Sequence, residues 1–187
     1  MDLISLWPLG IAIIGLTLLY QFLPRYRPTV IFLGSAVGVS LAFMGLLQTA
    51  ARGQELIRHR KVEVAFGYMK RFNQPDTSLK LEQAHDALAR VSGETPAEIH
   101  RIFNDDVSVS EPLKFVFNFY EEIGLAAQLG YADEPSLCTF FRDIGAKYFS
   151  ALKPWLDYYR SQPGKLNAHE PYEWIYERWK PGCHAIQ

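Results

Sequence analysis

A carboxylate on an apolar helix is the feature of this chain most able to do chemistry, and Glu122 is that carboxylate. Its neighbour Glu121 cannot share an acid/base site with it, because adjacent helical residues point about 100° apart. Asn118 and Glu122, four apart, share a face with Phe115, Phe119 and Ala126. A carboxylate among apolar neighbours is costly unless paired. Glu122 therefore has two readings. It is a general base of raised pKa in a cleft, or half of a buried ion pair with Arg142, Lys147 or Arg160 as donor. The ion pair asks less of the sequence, since no nucleophile or ordered triad accompanies the carboxylate.

Other constellations are thinner. Arg52-x6-His59 meets the loose Arg-to-His spacing of helical ribonucleases of the HEPN type, without the polar residue that usually follows the Arg. With Glu122 it supplies the catalytic candidates of an alternative reading, a membrane-tethered hydrolase or nuclease. The simpler role for Arg52, Arg58, Arg60 and Lys61, with His59 among them, is contact with anionic lipid headgroups, worth about 1 kcal/mol per basic residue near a surface. Glu82-x-x-His85 matches half of a di-iron carboxylate site, but no second Glu-x-x-His exists, so solvated helix surface is the simpler reading. Cys138 and Cys183 lack metal-ligand spacing and are expected reduced in a cytoplasmic domain, with Cys183-His184 in a frayed terminus. No Gly-rich phosphate loop, Gly-x-Ser-x-Gly or His-Glu-x-x-His is present, so no cofactor and no metal are expected.

The elements that must position these residues begin with two uncharged stretches, Leu3–Pro24 (22 residues) and Pro28–Ala51 (24 residues). A spanning helix needs about 20 mainly apolar residues, so helices over about 3–23 and 29–50 are expected to form a transmembrane hairpin. No Lys or Arg precedes the first stretch and no small-x-small site follows it, which argues against a cleaved signal peptide. The short turn makes the helices antiparallel. Arg25 and Arg27 lie in the turn, while Arg52, Arg58, Arg60, Lys61, Lys70 and Arg71 follow the second span. That asymmetry puts the C-terminal domain in the cytoplasm and the chain in the inner membrane as a multi-pass protein. Gly34, Gly38 and Ala42 form a small-residue stripe that suits close helix packing, more simply against the first helix than between chains. A pore of oligomerised hairpins finds no intramembrane charge to support it.

The chain average, a mean hydropathy of -0.05 and net charge of -1, hides this division. Residues 52–187 hold 17 Lys+Arg against 19 Asp+Glu, which argues against nucleic-acid binding. They also hold 20 of the 26 aromatics, ample for one packed core. Val62, Phe66, Met69 and Phe72 share a helical face that continues the second span, broken at Gln74-Pro75-Asp76. Leu79, Ala84, Leu88 and Val91 mark a second helix stopped at Ser92-Gly93. Thr95-Pro96-Ala97-Glu98 is a capping box opening a third. Pro112 is expected to start the most apolar and central helix, Phe115 to Leu129. Asp133-Glu134-Pro135 opens another that runs to about Trp155, with Pro154 as a kink or stop. Pro171 to Trp179 makes the last. No segment alternates as a half-buried strand does, so the expected class is all-α: a transmembrane hairpin (1–51) and a helical cytoplasmic domain (52–187).

Asn118-Phe119-Tyr120-Glu121-Glu122-Ile123, then Gly130, Asp133, Phe140, Tyr148, Pro154 and Arg160, and finally Tyr172-Glu173-Trp174, resemble the bacterial family catalogued as domain of unknown function 4760. The resemblance covers about Val62 to Trp179. It implies one or two N-terminal membrane helices before a helical domain, and no activity or catalytic residue. The function expected is a membrane-anchored helical interaction module, a sensor, scaffold or effector. Its partners are membrane lipids and a protein or a second copy of the chain.

Overall fold

The computed structural model describes residues 14, 15, 17, 18, 20, 21 and 27–186. The all-α class holds: the elements are α1 (Arg27–Phe72), α2 (Pro75–Val91), α3 (Pro96–Asp105), α4 (Val107–Gln128), α5 (Glu134–Arg160), α6 (Glu170–Trp179) and a 3-10 turn (Cys183–Ile186), with no strand among the described residues. The chain divides into two compact units, Met1–Glu55 and Leu56–Gln187.

In the first unit, Val39, Phe43, Met44, Leu46 and Leu47 on α1 are all exposed. No helix among the described residues is long and apolar enough to cross a membrane. The expected first span, about 3–23, lies mostly outside the described residues, as does the packing at Gly34. A Cβ on Gly38 would meet no described atom within 4 Å, and Ala42 is exposed.

The 46 residues of α1 form one unbroken helix, so the segment through Val62 and Phe72 continues the apolar run as expected. Pro75 ends it by forcing Gln74 into an extended conformation (φ -70, ψ 144). In the second unit α4 is the central helix, packed on α2, α3, α5 and α6. Val109, Leu113, Val116 and Ile123 are fully buried along it. The C-terminal turns of α1 join this core through Phe72, whose ring lies 5.8 Å from Phe119 and 5.3 Å from Phe141.

Three boundaries differ from the sequence reading, each for a local reason. Pro112 lies inside α4, which starts at Val107. The Asp106 carboxylate accepts from the Ser108 backbone N–H (2.9 Å) and hydroxyl (2.6 Å), and the extra turn buries Val109. Helix α5 passes through Pro154 to Arg160, because the turn beyond it buries Trp155 and Leu156. The C-terminus is not frayed at Cys183: Gly182 takes φ +110, a conformation favouring glycine, and turns the chain back onto α5. The capping box forms by half. Thr95 accepts from the Glu98 N–H at 3.3 Å, while the Glu98 carboxylate accepts from Arg101 at 2.6 Å.

Candidate functional site

Where α4, α5 and α6 meet, a close approach opens a cleft. Gly145 has no side chain, so the Tyr120 ring packs onto the α5 backbone; a Cβ there would sit 2.6 Å from the ring. Gly124 likewise admits the Pro171 backbone at the start of α6. Tyr120 and Tyr172 then stack at 4.9 Å with planes 15° apart. Their hydroxyls donate to α5 carbonyls, Tyr120 to Phe141 (3.2 Å) and Tyr172 to Gly145 (2.7 Å). Burial, reinforced for each by a neighbouring phenol, holds both pKa values above the ordinary 10.0, so both stay protonated at neutral pH. They are fixed donors and not acid/base groups.

Beside this stack lies a cleft of about 340 Å³, walled by Tyr120, Tyr172, Ile175, Tyr176 and Trp179, with Arg142 and Lys180 as its cations. Arg142 donates through Nε to Asp143 (2.8 Å), and its two terminal nitrogens make no hydrogen bond with any described residue. Lys180 lies 3.5 Å from Glu177. The wall is anchored at its far end by Glu134, which accepts from Arg178 Nε (2.5 Å) and Trp179 Nε1 (3.2 Å). A guanidinium with a free fork beside aromatic faces suits a planar ligand that carries a carboxylate or phosphate.

The residues singled out by sequence are dispersed. Glu122 does form an ion pair, but with Arg71 of α1 at 2.7 Å, not with Arg142, Lys147 or Arg160. It is not buried either: the side chains are 50% and 42% exposed, because Asn118 and Glu122 lie on the solvent edge of α4. The carboxylate that meets a histidine is Glu121, with Oε2 2.7 Å from His169 Nδ1. His169 holds a left-handed backbone (φ 57, ψ 31), strained by about 1–2 kcal/mol for a non-glycine residue. Its ring packs edge-on to Phe117 at 5.0 Å, and among the described residues no hydroxyl or thiol is hydrogen-bonded to it. Arg52, Arg58, His59 and Arg60 are exposed on α1, and Lys61 is half-buried, with its carbonyl accepting from Asp133 N–H at 3.0 Å. His85 Nδ1 lies 3.0 Å from Lys147 Nζ. Among the described residues no three His, Cys, Asp or Glu gather to hold a metal.

Arg160, offered by the sequence as a partner for Glu122, instead donates to Glu173 at 2.5 Å and to the Ala168 carbonyl at 2.8 Å. The cysteines correct the sequence reading most sharply. Cys138 and Cys183 are bonded to each other, with Cα atoms 5.7 Å apart. Frayed ends cannot pair; the ordered turn after Gly182 is what brings them together. Tyr120, Arg142 and Tyr172 stand out in the sequence, but nothing there groups them at one cleft. The one local signal was Gly145 within an otherwise strong helix, which marks a close approach without saying what approaches.

Fold and cleft define an all-α protein with an aromatic-walled cleft and no assembled catalytic triad among the described residues. The chain belongs to the family described as Domain of unknown function (DUF4760), which matches residues 33–179. The match begins within α1, well before the Val62 at which the resemblance was legible. No curated protein and no solved structure matches the chain.

Proposed function

We propose that this protein is a membrane-anchored helical binding module whose cleft takes a small planar anion. The observation that carries the reading is the open fork of Arg142 at an aromatic-walled cleft. Such a cleft is at the small end of ligand pockets, of the size that holds a single aromatic ring and its acid group. Anchoring is supported by the uncharged run 28–51 and by the exposed apolar side chains from Val39 to Leu47. Contiguous apolar surface of that kind is covered by lipid or by another protein in working molecules. Lipid is the reading favoured, because the run is uncharged around its whole circumference.

Calorimetric titration of the full chain in detergent tests the cleft. Phenylphosphate is expected to bind and benzyl alcohol to fail. Arg142→Gln should weaken phenylphosphate about 10- to 100-fold, the worth of a lost charged hydrogen-bonded pair. Equal binding by the variant and the parent, or by both probes, would remove the proposal. The hydrolase reading keeps only the Glu121–His169 pair, which orients a histidine but has no nucleophile beside it.

A further inference from the structure

We infer that the Leu56–Gln187 unit works in an oxidising compartment, on the outer side of the membrane to which the chain is anchored, with Cys138–Cys183 as a permanent crosslink. The membrane in this statement rests on the anchoring proposed above; the oxidation does not.

The chain has two cysteines, and they meet although 45 residues separate them. Their Cα separation of 5.7 Å falls in the range that a disulfide spans without moving the backbone. The meeting is built by contacts other than the bond itself. Glu134, one turn before Cys138, accepts from both Arg178 and Trp179 and so pins the end of α6 to the start of α5. Gly182 then takes the positive φ that turns Cys183 toward α5. Cys138 is fully buried, and Cys183 is half-buried against the same core. A bonded pair pre-positioned in this way is what secreted and periplasmic domains carry, and cytosolic proteins rarely do.

The basic flank after the second apolar stretch argues for the opposite side. That asymmetry weighs most in short loops, whereas long domains translocate largely regardless of charge. Arg25 and Arg27, between the two uncharged stretches, are the basic pair that resists translocation most, and they would keep that short link inside while both ends lie outside.

Formation of the bond needs a two-electron oxidant, and a thiol–disulfide oxidoreductase supplies it. One cysteine thiolate attacks the disulfide of the oxidant and forms a mixed disulfide, releasing one thiolate of the oxidant. The second cysteine thiolate attacks the sulfur of the first, which frees the other thiolate of the oxidant. The two thiols of this chain lose two protons and two electrons, and the oxidant leaves as a dithiol. The bond holds residues 180–186 against α5, and with them the end of the cleft wall at Trp179 and Lys180.

The test uses the full chain in bacterial cells, quenched with acid, denatured, and treated with a mass-tagged maleimide. No tag is expected without prior reduction and two after it. Cys183→Ser should show one tag without reductant, and in cells lacking the periplasmic dithiol oxidase the parent should show two. Protease added to spheroplasts should degrade the domain. Two tags on the parent in oxidase-competent cells overturn the crosslink. A bonded pair in a domain that protease reaches only after lysis overturns the compartment. Anchoring is read separately by alkaline carbonate extraction, so its failure is distinguishable from either.

Discussion

Glu122 and Glu173, carboxylates on different helices, show how burial decides what a charge is worth. Glu122 faces Arg71 in solvent, where such pairs contribute about 0–1 kcal/mol. Glu122→Ala should therefore lower the unfolding free energy by less than about 1 kcal/mol, measured by denaturant titration of the full chain in detergent. A loss several times larger would mean that the carboxylate is buried in the working state. Glu173 is the stronger group. It accepts from Arg160, 15% exposed, at 2.5 Å and from Lys153 at 3.3 Å, tying α6 to the end of α5. Partial burial raises its pKa, while Arg160 and then Lys153 lower it further, for a net value below the ordinary 4.5. A depressed carboxylate stabilises the fold fully above its unfolded pKa, and that contribution is lost as pH falls through the folded value. Acidification below about pH 4.5 should destabilise the parent more steeply than Glu173→Gln. Parallel pH profiles would show that the pair does not hold the helices.

At the scale of elements, the contact between α4 and α5 depends on a missing side chain. Gly145→Ala places a methyl group 2.6 Å from the Tyr120 ring, and that ring cannot retreat because Tyr172 is stacked behind it. The expected cost is about 1–3 kcal/mol of overpacking, despite the better helix propensity of alanine. The measurement is the same denaturant titration, and a stabilised variant would mean that the stack is looser than described. Because Tyr120 and Tyr172 wall the cleft, the variant should also weaken phenylphosphate binding. The strained His169 belongs to this scale as well: its pairing with Glu121 and its contact with Phe117 hold the loop that delivers Pro171 to Gly124.

For the whole molecule, the question is what covers the apolar surface of α1. The anchored reading predicts that the full chain stays in the pellet after alkaline carbonate extraction. The double substitution Val39→Arg and Leu46→Arg should release it, since an arginine at the centre of a spanning helix, where Val39 would lie, costs about 2.5–3.5 kcal/mol. Release of the parent under the same wash would show that protein, and not lipid, covers these side chains.

The helices themselves were legible in the sequence. Their periodicity, the Gln74-Pro75 break, the Thr95 cap and the Ser92-Gly93 stop are interactions within a few residues, so local sequence is enough to specify them. The start of α4 at Val107 and the run of α5 through Pro154 differ from the sequence reading because a cap and buried residues outweigh the local preference of proline. Glu122 was misplaced for a related reason: periodicity tells which residues share a face, not where that face meets solvent. Tertiary structure alone decided the pairings across distant segments: Glu122 with Arg71, Glu121 with His169, Cys138 with Cys183, and the Tyr120–Tyr172 stack beneath an open arginine. Each joins residues from different segments of the chain, and their meeting depends on how the helices cross, which packing of the whole core sets and no local pattern records.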